Sequence, residues 1–243
     1  MKKFLKKTSL FLVTAAMTVS APLMAWALEH DIVILHTNDI HCGINDNIGF
    51  DGLAQIKKDA LARTPNVALV DAGDAIQGAP IGKLSRGLAV VDIMNYLGYD
   101  FCIPGNHEFD YGMDRFMELV PLQRAGYYCA NFVYAGNNKQ VLPGYKIMQY
   151  EDTKVAFVGA STPESLTTST PTFFQNEKGK YIYSFCEDKT GNKLYKQLQK
   201  NIDKARKDGA GYVFIVGHLG MDGTTPQWSS ESVAKNTQGV DAV

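Results

Sequence analysis

D-I-V-I-L-H at residues 31–36, running into T-N-D-I-H at 37–41, sets the frame for the chain. A short apolar run rich in β-branched residues, stopped by a polar loop, reads as a buried strand. The same pattern returns at 67–70, ending at Asp71, and at 100–103, cut by Pro104-Gly105. It returns again at 127–130 and at 212–216, the latter followed by Gly217-His218. Between these runs the period changes. Residues 52–63 put Leu53, Ile56, Ala60 and Leu61 on one helical face, and 88–97 reads as a helix stopped by Gly98. Residues 113–124 and 189–207 also read as helices, the second charged and amphipathic, and 231–236 opens another. Residues 145–150 and 154–159 form a hairpin around Glu151-Asp152. The Gly-rich stretch 75–87 reads as loop, and the Ser/Thr-rich stretch 161–180 as an irregular excursion. Continuous apolar strands alternating with helices predict an α/β domain with a largely parallel sheet. The sequence shows neither an internal repeat nor an interdomain linker.

Composition agrees with a globular domain. The chain has 243 residues, 45% hydrophobic and 20% charged, so collagen-like and wholly disordered classes are excluded. Formal charge is −1, unevenly spread. Lys2, Lys3, Lys6 and Lys7 precede any acid; without them, 20 basic residues face 25 acidic ones, a charge near −5. That balance argues against coating a nucleic-acid polymer or an anionic membrane. It leaves room for a phosphorylated small molecule, because a local metal site reverses the sign where it matters.

The N-terminus reads as a signal peptide over 1–27. Lys2 to Lys7 is basic, Leu10 to Val19 is apolar, Pro22 breaks the run, and Ala25-Trp26-Ala27 fits a small-x-small cleavage pattern. The rival reading is an uncleaved anchor, against which Thr14, Thr18, Ser20 and Pro22 weigh. The expected mature chain starts near Leu28, is exported to the periplasm or the extracellular side, and carries no membrane segment. Cys42, Cys102, Cys129 and Cys186 include no C-x-x-C pair. Export permits disulfides, and Cys102 with Cys129 could lie on adjacent strands, but buried free thiols fit equally well.

The polar residues fall where strands end, which is where open α/β sheets bind ligands. Asp39-Ile40-His41 follows the first strand, Asp71-Ala72-Gly73-Asp74 the second, Gly105-Asn106-His107-Glu108-Phe109-Asp110 the third, and His218 the last. Carboxylates and imidazoles together suit Zn, Mn or similar divalent ions. A D-x-H pair can offer two side chains to one ion, a central Asp can bridge two, and Asn106 adds a neutral oxygen. Two ions so held clamp a phosphoryl group. Gly73 and Gly105 would let backbone approach the ions closely. Each element alone is weak: an Asp after a strand usually caps or turns, and a lone His usually belongs to the core. His36, inside the strand, and Asp71, before the turn, read as structural, and His30 as solvated. The ordered set carries the argument.

L-H-T-N-D-I-H at 35–41, D-A-G-D-A-I-Q-G at 71–78 and G-N-H-E-F-D-Y-G at 105–112 together resemble the 5′-nucleotidase family of calcineurin-like metallophosphoesterases. The resemblance runs from about Ile32 to the C-terminus. It implies a four-layer α/β/β/α sandwich holding two divalent metal ions. Asp39 and His41 would hold the first ion, Asp74 would bridge both, and Asn106 and His218 would hold the second. His107, oriented by Asp110, would stabilise the transferring phosphoryl group or the leaving oxygen. Glu108 would support the loop by hydrogen bonds. The implied reaction is hydrolysis of nucleoside 5′-monophosphates to nucleoside and phosphate, by in-line attack of a metal-bound hydroxide.

Two departures from the family pattern stand out. Cys42 occupies the place where the family usually has Gly after D-x-H, and reads as a non-ligand. Family members also continue from a V-D-A-V-like segment into a strand and a G-H-x-H loop that completes the metal ligands, whereas this sequence ends at Val240-Asp241-Ala242-Val243. The expectation is therefore a catalytic domain over 28–243, incomplete at its C-terminus and without the family's nucleotide-binding C-terminal domain. That leaves other readings: a non-catalytic or vestigial fragment without a complete metal centre, a 2′,3′-cyclic-nucleotide phosphodiesterase, or a nucleotide-sugar hydrolase.

Overall fold

Strand β1 (Val33–Thr37) leads into helix α1 (Gly49–Leu61), and strand β2 (Val67–Asp71) returns parallel to β1, with Val33 opposite Val67 and Thr37 opposite Asp71. The computed structural model describes residues 31–221 and 225–243, so the expected signal peptide and His30 lie outside the described residues. Helices α2 (Pro80–Ser85) and α3 (Leu88–Leu97) come next. Strand β3 (Phe101–Cys102) then adds parallel to β2, giving the order β1-β2-β3. Helix α4 (Met113–Leu119) follows, then β4 (Val133–Tyr134), β5 (Tyr145–Tyr150), β6 (Thr153–Ser161) and the short helix α5 (Ser165–Thr168). The chain closes with β7 (Tyr183–Ser184), α6 (Asn192–Lys207), β8 (Tyr212–His218) and α7 (Ser230–Asn236).

Instead of the single, largely parallel sheet expected from strand pattern, two three-stranded sheets form. The second has the order β5-β6-β8, antiparallel at the hairpin and parallel between β6 and β8. Side chains alternate across a strand, so each strand reveals its two neighbours. In β2, Ala68 and Val70 face one cluster while Leu69 faces another. In β6, Val155 and Phe157 share the cluster of Ala68 and Val70, while Ala156, Val158 and Ala160 face the opposite way. The shared cluster, with Phe101, Ile103 and Val216, is the contact between the two sheets. Phe50 and Leu53 of α1, Val90, Val91 and Met94 of α3, and Phe116 and Leu119 of α4 cover the outer face of the first sheet. Leu194, Leu198 and Ile202 of α6, with Val233 of α7, cover the second. The layers are therefore α/β/β/α, each interface burying large apolar side chains worth about 1.5–3 kcal/mol apiece.

Several local expectations change. The first strand is only half-buried, because β1 is an edge strand, and His36 is exposed rather than packed in a core. The 75–87 stretch contains α2: Pro80 sits at its first turn, where a missing N–H costs nothing, although nearby glycines make the sequence look like loop. The helix from Met113 stops at Leu119 because Pro121 ends it, leaving a short 3₁₀ turn. Residues 127–130 form no regular strand. Tyr128 N–H donates to the Cys102 carbonyl of the first sheet, and Ala130 N–H donates to the Gly159 carbonyl of the second, so this stretch crosses between sheets. The last strand extends to His218, and residue 242 lies parallel beside Phe214, with Ile215 N–H donating to the Ala242 carbonyl. All four cysteines are buried free thiols.

A candidate metal centre at the strand ends

The loops after β1, β2 and β3 are laced together by backbone hydrogen bonds. Asp39 N–H donates to the Gly73 carbonyl at 3.0 Å and His41 N–H to the Asp74 carbonyl at 2.9 Å. Asp39, His41 and Asp74 all adopt left-handed backbone, with φ of 52°, 47° and 59°. Such conformations cost an L-residue about 1 kcal/mol or more each and persist where the surroundings dictate them. Gly73 and Gly105 let the loops approach each other closely. A Cβ on Gly73 would strike the Gly105 backbone, and one on Gly105 would strike the Asp74 carboxylate. Their bareness lets the Asp74 and Asn106 loops touch.

Glu108 ties the same two loops from beneath. It is buried, and its Oε2 accepts from the N–H groups of Asp74 at 2.7 Å and Gly105 at 2.6 Å. Its Oε1 accepts from Ala75 at 2.7 Å and Ile76 at 3.4 Å. Burial and the Asp74 charge push its carboxyl up to about 7, against the pull of those amides. Asp71 shapes the turn as expected, accepting from the Gly73 N–H at 3.0 Å and the Thr37 hydroxyl at 2.7 Å.

Above this base the expected ligands converge. Asp39, Asp74 and His218 each place one ligand atom within 4.8 Å of the others. His218 Nδ1 meets the Ala72 carbonyl at 2.9 Å, leaving Nε2 3.2 Å from Asp74 Oδ2. His41 repeats the arrangement: Nδ1 meets the Gln77 carbonyl at 3.0 Å, and Nε2 lies 3.8 Å from both Asp39 Oδ1 and Asp74 Oδ2. A histidine whose Nδ1–H is held by a carbonyl presents Nε2 as a fixed ligand. Burial disfavours a charged His218, but the Asp74 hydrogen bond and charge outweigh it and raise its pKa to about 9. Asp74 is lowered in turn: its burial opposes ionisation, and the His218 pairing and the His107 N–H overcome it. That proton and a cation compete for the same Nε2 atom.

Asn106 is half-buried between Gly105 and His107, whose N–H donates to Asp74 Oδ1 at 2.8 Å. Its own amide has no protein partner among the described residues. Two fixed imidazole nitrogens and two carboxylates form a donor set that fits borderline divalent cations, with Asn106 on the adjoining loop. Beside them, His107 Nδ1 lies 2.6 Å from Asp110 Oδ2, and its ring meets that of His41 edge-on at 5.2 Å between centroids. Burial works against the imidazolium, but the Asp110 hydrogen bond and the charges of Asp74 and Asp110 raise its pKa above the usual value. Six of the sequence-predicted residues thus lie on the adjoining loops after the strands of the first sheet, and the seventh, His218, meets them from the end of β8.

Cys42 stands apart from the group. Its thiol is buried and directed at the Ala75 carbonyl at 3.5 Å, and burial with the Glu108 charge pushes its pKa up to about 11. A cleft of about 630 Å³ opens from Asp39 and His218 between the two sheets, past Ile34, Val70, Phe157 and Phe214. Sequence reading missed two contributors, the Gln77 and Ala72 carbonyls that aim the histidines, because backbone acceptors leave no mark in residue type. It also missed Ser169, whose hydroxyl donates to Asp110 Oδ1 at 3.1 Å from the stretch read as irregular.

The calcineurin-like phosphoesterase family signature matches residues 32–243. A snake venom 5′-nucleotidase of Gloydius brevicauda is 28% identical over 96% of this chain and 40% of its own length. A 2′,3′-cyclic-nucleotide 2′-phosphodiesterase/3′-nucleotidase of Haemophilus influenzae is 25% identical over 91% of this chain and 36% of its own. Among solved structures, the calcineurin-like phosphoesterase YfkN of Bacillus subtilis superposes with a TM-score of 0.73 at 24% identity, covering 87% of this chain and 70% of its own. The chain spans about 40% of the length of the 5′-nucleotidase relative.

Proposed function

We propose, since this chain belongs to the calcineurin-like phosphoesterase family, that it forms the catalytic domain, over 28–243, of an exported phosphohydrolase acting on nucleoside 5′-monophosphates. The observation that carries this reading is the convergence of Asp39, Asp74 and His218 within 4.8 Å, beside a His107–Asp110 pair. Asp39 and His41 would hold one divalent cation, Asp74 would bridge, and Asn106 with His218 would hold the second. Such ions supply charge neutralisation at the phosphoryl group and an activated water. The protein's own part is positional. Carbonyls of Gln77 and Ala72 aim two imidazoles, and Glu108 holds the loops that carry Asp74 and Asn106. His107, favoured in its charged form by Asp110, offers a proton to a phosphoryl or leaving oxygen. The protonated, buried Cys42 thiol is no nucleophile, which agrees with hydrolysis that forms no covalent enzyme intermediate.

Similarity to a 5′-nucleotidase over nearly the whole chain supports the monophosphate substrate. The Haemophilus relative supports a second reading, a 2′,3′-cyclic phosphodiester. The basic start and apolar run at 1–27 support export. The test is phosphate release from AMP with added Mn²⁺ or Zn²⁺, against a chelated sample and Asp74→Asn. Metal-dependent release that falls at least about 100-fold in Asp74→Asn is expected, the upper scale for loss of metal-site support. Release unaffected by chelation and by Asp74→Asn would overturn the reading, and no turnover of any phosphoester would favour a non-catalytic domain.

A further inference from the structure

We propose that Ser169 is a positioning residue for His107, acting through Asp110. The inference rests on the phosphohydrolase reading only in giving His107 a role at the substrate. Asp110 uses both carboxylate oxygens: Oδ2 meets His107 Nδ1 at 2.6 Å, and Oδ1 accepts from the Ser169 hydroxyl at 3.1 Å. A carboxylate held at one oxygen can still swing about its side-chain bond. Held at both, its plane is set, and the imidazole bound to it is set as well. Ser169 is itself immobilised: it is 7% exposed, follows the last residue of α5, and its N–H donates to the Ser165 carbonyl at 3.3 Å.

The surrounding segment behaves as a brace for the loop that carries His107. Residues 161–174 touch that loop at three places. The Ser161 hydroxyl donates to the Pro104 carbonyl, Ser169 donates to Asp110, and the Phe174 ring meets Phe109 edge-on at 5.2 Å between centroids. Asn131 anchors the start of the brace, donating to the Ser161 carbonyl at 2.7 Å and accepting from its N–H at 3.0 Å. Of these contacts, only that of Ser169 reaches the polar pair that meets the site.

The test compares ring-nitrogen NMR of ¹⁵N-histidine-labelled, Zn²⁺-supplemented wild-type chain, Ser169→Ala, Ser169→Thr and Ser165→Ala, with the His107 signal assigned by its loss in His107→Ala. The wild type should show a protonated, slowly exchanging Nδ1. Ser169→Ala should speed exchange of that proton with water roughly tenfold, the scale set by losing one hydrogen bond to an ionised group. Ser169→Thr, which keeps the hydroxyl, should restore slow exchange. Ser165→Ala, which removes a hydroxyl from the same segment that donates only to the Thr162 carbonyl, should leave the signal unchanged. An Nδ1 signal in Ser169→Ala identical to wild type, or the same change in Ser165→Ala, overturns the proposal. If the chain hydrolyses AMP, Ser169→Ala should lower kcat roughly tenfold with KM within about twofold. Its effect should also be non-additive with Asp110→Asn. A wild-type chain without turnover counts against the phosphohydrolase reading, and the NMR comparison still decides Ser169.

Discussion

Glu108 shows how one side chain can organise a site without belonging to its donor set. Four backbone N–H groups from two loops end on its carboxylate, in a position closed to water. Substitution by Gln keeps the volume but turns one acceptor oxygen into an NH₂ that faces backbone N–H groups. Glu108→Gln should therefore cost about 3 kcal/mol, the scale of an unsatisfied buried donor plus lost charge-assisted bonds. Chemical denaturation should show it as a lowered midpoint with an unchanged m-value. Metal affinity, measured by competition with a chromophoric chelator, should fall in the same variant, because the Asp74 and Asn106 loops lose their common tie. Asp110→Asn should cost about 1 kcal/mol of stability, the scale of a weakened hydrogen bond to His107. It should nonetheless lower kcat for phosphate release roughly 100-fold, because the amide cannot favour the imidazolium of His107.

Helix α6 owes its start to a residue just before it. Asp188 Oδ1 accepts from the Thr190 N–H at 2.8 Å, and Oδ2 from the Lys193 N–H at 2.8 Å, satisfying a donor of the first turn. Slight burial of Asp188 opposes its ionisation, but the Lys193 and Thr190 amides prevail and lower its pKa below the usual aspartate value. Asp188→Ala should then cost about 1 kcal/mol near neutral pH. The sign with pH follows from the direction of the shift. A carboxyl depressed in the folded state binds more protons when unfolded, so its contribution is complete above the ordinary aspartate pKa and disappears as pH falls through the folded value. Urea midpoints of wild type and Asp188→Ala should differ at pH 7 and converge in acid. A gap that persists or widens in acid would place the effect elsewhere in the helix.

At the level of the whole molecule, the site joins the two sheets. Asp39, Asp74 and Asn106 stand on loops of the first, whereas His218 ends β8 of the second. A cation bound across them ties the sheets together in the folded state alone, so it adds stability by mass action. At about 100 times its dissociation constant, Zn²⁺ or Mn²⁺ should add about 2.7 kcal/mol. For a domain of this size that raises Tm by roughly 5–10 °C. Differential scanning fluorimetry should show the rise, and Asp74→Asn and His218→Ala should each abolish most of it. A rise equal in wild type and both variants would mean that the metal binds elsewhere.

Residue type and order alone singled out seven positions that the fold brings to one edge, because strand ends in an α/β domain meet there and each carried its polar residue. They also placed most helices and the hairpin, since periodicity is a local property that survives into the fold. Local pattern could not show that the strands divide into two facing sheets: a strand buried on both faces reads alike whether helices or a second sheet cover it. Nor could it show α2 within a Gly-rich stretch, or that 127–130 crosses between sheets. The loop-supporting role read for Glu108 held, with its particular partners supplied by the fold, whereas the purposes of Gly73, Gly105 and Ser169 were decided by tertiary structure. Each acts on a partner 30 or more residues away, or through backbone atoms that every residue shares, and only the folded chain brings those partners within hydrogen-bonding reach.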